Sequence, residues 1–343
     1  MRGGGFRFAG MLALAMAFAA WLVAALYDLP LRDPDGFAGP NYLRLPLILV
    51  LAFLCDVVPR TAYRLRSPGD VVHTFVAVSR ERWPWSHVRF AVAGLGTWYV
   101  TYVAFRNLKS FVPFVNPHLH DRRLAGFDTV LFLGNDPAEL LHRLLGTGWA
   151  GHVMSFIYLA WIVFVPFSLV VALVWSRNVT GGAWYVTAIA VDWALGVATY
   201  FAVPSVGPIY AEPWLFTGTQ DTYAGRLATS MLQDRQQVLA APEATHAVQT
   251  IAAFASLHVG IMVTVCVVAH LLGLPRLVRS ALWVFFALTV VSTVYLGWHY
   301  VADALGGVVL GAAGVWIAAL ATGNHVRGRP TYVPRHIEVK AAV

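Results

Sequence analysis

Long apolar runs, each about as long as a membrane-crossing helix, recur along the whole chain. The hydrocarbon core of a bilayer offers no water to backbone N–H and C=O groups, so a chain of this kind crosses the membrane as helices. Hydrophobic residues make up 58% of the 343 residues and charged residues only 12%, against about a quarter in soluble domains. We therefore predict an all-α, polytopic membrane helical bundle.

Eight runs are long and apolar enough to be predicted as transmembrane spans. They are Phe8–Tyr27, Tyr42–Val58, His87–Phe105, Gly151–Trp175, Ala183–Val203, Ser256–Leu272, Val278–Leu296 and His299–Ala321. We divide the chain accordingly into two extra N-terminal helices with a basic loop (1–86), a six-helix core (87–322) and a basic tail (323–343).

Turn signals predict two long connectors, 107–150 and 204–254. Within the first, Pro137–Leu145 is predicted as a short amphipathic helix with Asp136 as its N-cap, because Pro favours the first helical position. The second is longer than an idle loop usually is, so we expect it to form a functional cap. Gly323 is predicted to end the last helix.

The distribution of positive charge predicts the orientation in the membrane. An even number of spans puts both chain ends on one side, and that side carries 15 of the 24 Lys and Arg residues on mostly short loops. By the positive-inside rule we expect a multi-pass protein of the cell membrane with both ends in the cytoplasm. This rule accounts for the net charge of +7. The sequence has no basic cluster interleaved with aromatic residues, so we expect no nucleic-acid partner.

Polar residues inside or at the ends of apolar spans are costly and are usually functional. The span count brings three such clusters, far apart in sequence, to the extracytoplasmic face: Arg106 with Lys109, Ser256 with His258, and His299 with Asp303. The last two are four residues apart, so on a helix they would share one face. We predict one site built from all three clusters.

These residue types suit phosphoryl transfer without a metal. A neutral His299 imidazole can attack phosphorus and form a phosphohistidine, with Asp303 fixing its tautomer. His258 would protonate the leaving oxygen and then act as base on the incoming water or alcohol. Read separately, each histidine is more simply a packed interfacial residue, and the His299–Asp303 pair a helix contact.

The same clusters predict a phosphate-binding set. Arg106 and Lys109 would hold the non-bridging oxygens, and the Ser256 hydroxyl with the free N–H groups of its helix start would form an anion site. Alternatively, the two cations simply snorkel to the interface. Tyr102 and Asp192 are further candidates for substrate binding, although Asp192 could equally pair with a polar neighbour.

No cofactor is expected. His, Cys, Asp and Glu residues show no metal-ligand spacing, so we predict no metal site. The sequence indicates no oligomeric state.

Two segments resemble a known family. Ala255–His258 and Ser292–Asp303 resemble the second and third motifs of the type 2 phosphatidic acid phosphatase superfamily, and most closely its inositol phosphorylceramide synthase-like branch. The resemblance covers about residues 90 to 320. It implies the family's helical bundle and gives His258, His299 and Asp303 the roles of its catalytic triad.

Two departures separate this chain from phosphatases of that superfamily. Thr293 stands where those enzymes carry an Arg, and their first motif, Lys-x6-Arg-Pro, is absent. Tyr102, Arg106 and Lys109 stand in its place, as in the synthase branch. The phosphate-binding set is therefore less closely matched than the triad.

Three functions follow, in order of preference. The first is a lipid phosphotransferase that moves a phosphorylated head group, for example inositol phosphate, from a membrane lipid to an alcohol or lipid acceptor. The second is a phosphatase that acts on a lipid or polyprenyl phosphate with water as the acceptor. The third is a non-enzymatic transporter or scaffold, for which we see no inverted repeat or broken-helix pair.

Overall fold

The computed structural model describes residues 5–35, 41–65 and 67–334, and it is an all-α bundle. The α-helices are α1 (Arg7–Tyr27), α2 (Asn41–Arg64), α3 (Val71–Arg82), α4 (Trp85–Val115), α5 (Asp121–Leu131), α6 (Pro137–Leu145), α7 (Trp149–Val170), α8 (Val179–Ala202), α9 (Pro208–Ala211), α10 (Tyr223–Ala240), α11 (Leu257–Leu271), α12 (Arg276–Tyr295) and α13 (Val301–Thr322). Pro68–Asp70 and Pro213–Thr219 are 3₁₀-helical, and Val171–Trp175 continues α7 as a π-helix. After α13, strands β1 (His325–Val326) and β2 (Arg329–Pro330) form an antiparallel hairpin.

In the described part of the chain, six helices are long and apolar enough to cross a membrane: α1, Pro46–Arg64 within α2, Trp149–Trp175, α8, α12 and α13. The prediction of an all-α polytopic membrane protein is therefore confirmed. The remaining two predicted spans coincide with helices of a different kind. α11 is apolar but has only 15 residues, and α4 has 31 residues that include three basic side chains.

Helix α8 lies at the centre of the bundle and is buried along most of its length. It packs against α1, α4, α11 and α13. Small residues line much of α8, so neighbouring helices can approach closely, as is usual for helix contacts in membranes. The buried Trp184 side chain fixes one of these contacts, because its Nε1–H donates to the Val315 carbonyl oxygen of α13 at 3.2 Å.

α11 and α13 cross almost backbone to backbone. A Cβ atom on Gly307 would collide with the Ser256 carbonyl oxygen, and one on Gly311 with that of Gly260. Gly307 and Gly311 therefore allow the backbones of α11 and α13 to approach this closely. This close crossing holds the start of α11 against the start of α13, where two of the three predicted polar clusters lie.

Two element boundaries differ from the sequence predictions. Residues 107–115 were expected in a connector, but they extend α4, because Asn107, Phe111 and Val112 are buried against the bundle. The eighth span was expected to begin at His299, but α13 begins at Val301. His299 therefore precedes the helix, and its contact with Asp303 crosses the helix start instead of running along a helical face.

Several local predictions are confirmed. α6 spans Pro137–Leu145, and its N-cap Asp136 accepts a hydrogen bond from the Glu139 amide at 2.9 Å. α13 ends at Thr322, and Gly323 follows as its C-cap with a φ of 70°. Arg2, Arg66 and residues 335–343 of the basic tail, which entered the charge count, lie outside the described residues.

Candidate active site

The junction of α12 and α13 is a tight loop that presents His299. α12 ends at Tyr295, and Gly297 then reverses the chain with a φ of 72°. The Thr293 carbonyl oxygen accepts from the amides of Trp298 (2.9 Å) and His299 (3.3 Å). A side chain at Gly297 would collide with the Phe216 ring. The loop is thus held on both sides, and the position of His299 is fixed by its backbone.

His299 lies between Asp303 and His258. Its Nδ1 is 3.3 Å from Asp303 Oδ2, and its Nε2 is 2.9 Å from His258 Nδ1. His299 is 4% exposed and Asp303 fully buried. A neutral His299 carries one proton, which the carboxylate draws to Nδ1. Nε2 then holds a lone pair and accepts from His258 Nδ1–H, so Nε2 is the atom available as a nucleophile.

Asp303 also organises the start of α13. Its Oδ2 accepts from the Tyr300 amide at 2.9 Å, which closes a capping box. Its carbonyl oxygen accepts from the Ser256 amide at 3.0 Å. One residue therefore orients His299, caps α13 and ties that helix to the start of α11.

Ser256 is not placed as the sequence suggested. The residue is fully buried, and its Oγ accepts from the Val259 amide as the N-cap of α11. The Ser256 side chain thus stabilises the helix that carries His258, and it lies outside the lining of the cavity described next. Its predicted role in phosphate binding is not supported by this placement.

Arg106, Lys109, His258 and His299 line one cavity of about 630 Å³, which we call the inner cavity. The clusters predicted to meet thus lie together, except for Ser256 and the buried Asp303. Much of the wall is aromatic: Trp98, Tyr102, Phe105, Trp161, Trp193 and Tyr200. The His258 ring packs on Trp161, with centroids 4.2 Å apart, and Lys109 Nζ lies 4.9 Å from the Tyr200 ring centroid.

The inner cavity is rich in hydrogen-bond donors. Within the described residues, buried Nε atoms of Arg106, Trp98 and Trp161 have no acceptor. Buried polar groups are normally paired, so unpaired donors on residues that line the cavity suit a ligand that carries hydrogen-bond acceptors. An anionic ligand such as a phosphate ester would supply such acceptors. The sequence did not single out Trp98 or Trp161, since aromatic residues are common in membrane spans.

Two acidic residues of α5, which the sequence analysis did not single out, stabilise the backbone around the start of α13. Asp128 accepts from the Val301 and Ala302 amides at 2.6 and 2.9 Å and so caps α13. Asp121, two helical turns earlier, accepts from the Gly207 amide at 2.8 Å and from the Tyr300 hydroxyl at 3.3 Å. Burial raises the pKa of Asp128 to about 6, although its two amide donors act in the opposite direction. Asp121 and Asp128 lie seven residues apart on an amphipathic helix, and this spacing is the sequence signal that could have indicated that they share a face.

The N-terminal helices take part in the site through their connector. Arg32 and Asn107 are joined by two hydrogen bonds: the Arg32 amide donates to Asn107 Oδ1 at 2.8 Å, and Asn107 Nδ2 donates to the Arg32 carbonyl oxygen at 2.9 Å. The Tyr102 hydroxyl donates to Asp35 Oδ1 at 2.8 Å, and Asp35 itself lines the inner cavity. Tyr102 thus lies at the predicted site, beside the Arg106 guanidinium, which is 5.9 Å from its ring centroid.

Asp192 lies elsewhere. It is fully buried in α8, outside the lining of the inner cavity, and accepts from the Thr264 hydroxyl of α11 at 2.7 Å. Gly314 of α13 leaves room for its other carboxylate oxygen. This placement is that of an interhelical contact and not of a substrate contact. Across the described residues, no group of three or more His, Cys, Asp and Glu side chains is arranged to hold a metal ion.

Comparison with known proteins gives one match. The family model described as the PAP2 superfamily matches residues 122–317, which is more than half of the chain. Searches of curated proteins and of solved structures found no match.

The matched range includes His258, His299 and Asp303, whereas Tyr102, Arg106 and Lys109 precede it. Together with the apolar helices, it fits a membrane phosphatase or phosphotransferase. The chain belongs to the PAP2 superfamily.

Proposed function

We propose that this protein is a lipid phosphotransferase that moves a phosphorylated head group from a membrane lipid to an alcohol acceptor through a phosphohistidine at His299. The observation that supports this most directly is the hydrogen-bonded series Asp303–His299–His258 at the wall of a cavity that also holds Arg106 and Lys109. It combines a nucleophile, an orienting carboxylate, a proton donor and two cations.

The chemistry begins when a phosphate ester enters between the two histidine rings. Since His299 Nε2 and His258 Nδ1 are 2.9 Å apart, the rings must separate to admit phosphorus. The Nε2–P bond then forms, the ester P–O bond breaks, and the leaving oxygen takes the His258 proton. Asp303 stabilises the positive charge that develops on His299.

The second step reverses these roles. The acceptor alcohol attacks phosphorus, its proton passes to His258, and the P–N bond breaks. His299 is thereby restored to its neutral form. Arg106 and Lys109 would hold the non-bridging oxygens in both steps, where negative charge must be balanced.

The wall of the inner cavity suits a lipid. Besides its aromatic residues, the cavity is bordered by Ile48 of α2 and by Ile162, Val165 and Pro166 of α7. Ile48 and Ile162 are exposed on the outer surface of the bundle, so this side of the cavity faces the bilayer. An acyl or isoprenoid chain could lie there while its phosphate reaches His299. This apolar side of the cavity would keep water away from the lipid chain.

We propose that the site is extracytoplasmic and that the inositol phosphorylceramide synthase-like branch is the nearest likeness. The positive-inside count supports the orientation. Thr293, together with Tyr102, Arg106 and Lys109 in place of the phosphatase first motif, supports the branch.

A phosphatase is the second candidate. Asp35, Asp234 and Arg106 form a polar part of the inner-cavity wall, through which water could reach a phosphohistidine. Every residue assigned above would keep its role, and only the acceptor would differ.

The test uses the purified protein in lipid nanodiscs. Short-chain phosphatidic acid and phosphatidylinositol are supplied with and without glycerol or a long-chain alcohol, and products are identified by mass spectrometry. Transferase activity predicts a new phosphodiester or phosphomonoester of the alcohol. Phosphate release that is independent of the alcohol would favour the phosphatase.

Matched variants on one helix control this assay. His258→Ala removes the proposed acid and base, whereas His270→Ala changes the other histidine of α11, at its far end. We expect His258→Ala and His299→Ala to abolish product formation and His270→Ala to retain it. Full product formation in folded His299→Ala protein would refute His299 as the nucleophile. A wild-type protein that forms no product from any donor would instead favour the transporter or scaffold.

A further inference from the structure

A second cavity adjoins the first on the side of the N-terminal connector. This outer cleft has a volume of about 760 Å³. It shares Arg106, Asp234 and Val248 with the inner cavity, so the two cavities adjoin at those residues. Its remaining polar lining residues are Arg32, Asp33 and His246. Unlike the inner cavity, its described lining contains no aromatic ring other than the imidazole.

The outer cleft has a fixed wall. The Arg32 guanidinium donates to the carbonyl oxygens of Pro242 and Thr245, which joins the α1–α2 connector to the 204–254 connector. The paired bonds between the Arg32 backbone and Asn107 fix the same segment to α4. Because its own guanidinium is used in this way, Arg32 acts as a brace, and Arg106 is the cation left to meet a ligand.

Arg106 and Asp234 are both placed for a ligand where the two cavities adjoin. Arg106 Nε is buried without an acceptor. The ion pairs of the described residues do not include one between Arg106 and Asp234. Because both side chains line the same two cavities without pairing, the carboxylate can accept a hydrogen bond from a hydroxylated molecule and the guanidinium can donate one to it.

We propose that the outer cleft binds the acceptor of the transfer reaction, and that this acceptor is a water-soluble polyhydroxylated alcohol. The proposal rests on the phosphotransferase function above. Asp33 and Asp234 supply acceptors for vicinal hydroxyls, and Arg106 supplies a donor. One acceptor hydroxyl would reach past Arg106 to the phosphohistidine, form the new O–P bond and pass its proton to His258.

Other ligand classes fit the outer cleft less well. A free phosphate or second phospholipid head group would place negative charge beside Asp33 and Asp234. An apolar chain would bury the Asp234 carboxylate and the Arg106 guanidinium without supplying a hydrogen bond to either, which costs free energy. Hydroxyl groups satisfy both kinds of side chain.

The first test measures how phosphoryl groups divide between the polyol and water. Short-chain phosphatidylinositol or phosphatidic acid is the donor, and glycerol or myo-inositol is the acceptor. We expect Asp234→Asn and Asp33→Asn each to lower the ratio of transfer to hydrolysis about tenfold, because a lost charge-assisted hydrogen bond has that effect on acceptor binding. Asp221→Asn changes an exposed carboxylate on the same connector outside both linings, and it should keep the wild-type ratio.

The outcomes separate this proposal from the one it rests on. An unchanged ratio of transfer to hydrolysis in both Asn variants would overturn the outer-cleft assignment. Hydrolysis by the wild-type protein without any polyol product would do the same. Neither result would contradict the role proposed for His299. Turnover that His299→Ala leaves unchanged would instead overturn the proposed function.

A second measurement needs no donor. Saturation-transfer difference NMR detects weak binding of glycerol or myo-inositol to the wild-type protein in nanodiscs. We expect a saturable signal, with an affinity that Asp234→Asn lowers about tenfold and Asp221→Asn preserves. A signal that is absent, or equal in all three proteins, would overturn the proposal.

Discussion

Replacement of Asp303 by Asn tests the central assignment most sharply. The amide has nearly the shape of the carboxylate, so Asp303→Asn should preserve packing while removing a negative charge beside His299. His299 must become cationic as the phosphohistidine forms, and this cation would lie in a site where His299 is only 4% exposed. The rate should therefore fall steeply.

The magnitude follows from the distance. His299 Nδ1 and Asp303 Oδ2 are 3.3 Å apart. At an effective dielectric constant of about 20, unit charges at that separation interact with about 5 kcal/mol. Each 1.36 kcal/mol corresponds to about a tenfold change in rate, so the loss should lie between about a thousandfold and about ten-thousandfold. The asparagine dipole retains part of the interaction, which places the expectation toward the lower figure.

Asp128→Asn is a matched control for Asp303→Asn. Both carboxylates accept from backbone amides at the start of α13, but only Asp303 contacts His299. Each variant should lower the free energy of unfolding by about 1–2 kcal/mol through the weakened cap. Donor consumption in nanodiscs and thermal unfolding are measured on the same preparations. An Asp303→Asn protein that keeps more than a tenth of the wild-type rate, or that falls no further than Asp128→Asn, would refute the charge-stabilisation role.

Three further predictions concern the rest of the site and its scaffold. Arg106→Gln should raise the KM for the phosphorylated lipid about tenfold or more, since a charged donor is lost, whereas Arg143→Gln on exposed α6 should leave KM unchanged; equal KM values would contradict this role. Because burial raises the pKa of Asp128 to about 6 from an ordinary value of 3.8, the folded state binds its proton more tightly than the unfolded chain, and stability is lost as pH rises from about 4 to about 6. The difference in Tm between pH 5 and pH 7 should therefore shrink in Asp128→Asn, and an identical difference would exclude the titration of this residue as its cause. Gly311→Ala should destabilise the bundle by about 1–3 kcal/mol because its Cβ would meet the backbone of α11, while Gly10→Ala, which meets open space, should not; a wild-type Tm for both would refute the close crossing.

The proposed catalytic residues could be identified from the sequence because an ionisable group in an apolar run is conspicuous. His258 and His299 stand out in this way, and the span count brought them to one end of the bundle. Local capping was equally readable at Asp136 and Gly323, since the signal lies within a few residues. Ser256 shows the limit of such signals: a helix-start serine can hold an anion or cap its own helix, and here the structure uses it as a cap.

The supporting residues could not be found in this way. Asp128 caps a helix that begins 173 residues later, so its role depends on tertiary packing and not on local pattern. The extension of α4 had the same origin. Asn107 looks like a connector residue, yet its side chain is satisfied by the Arg32 backbone from 75 residues away. Polar residues paired across the fold are hidden from any local analysis of propensity.

The bond between His258 and His299 bears on what the protein does among the lipids that surround it. The lone pair of His299 Nε2 accepts a hydrogen bond from His258, and a ligand reaches it only by breaking that bond of about 1 kcal/mol and separating the two rings. A phosphate ester can offset that cost through the nearby cations. A neutral lipid whose chain enters the inner cavity has nothing with which to displace His258, so it would occupy the cavity without meeting a reactive nitrogen. The His258–His299 bond would thus keep the proposed nucleophile unreactive toward bilayer lipids that are not substrates, even though the cavity is open to them.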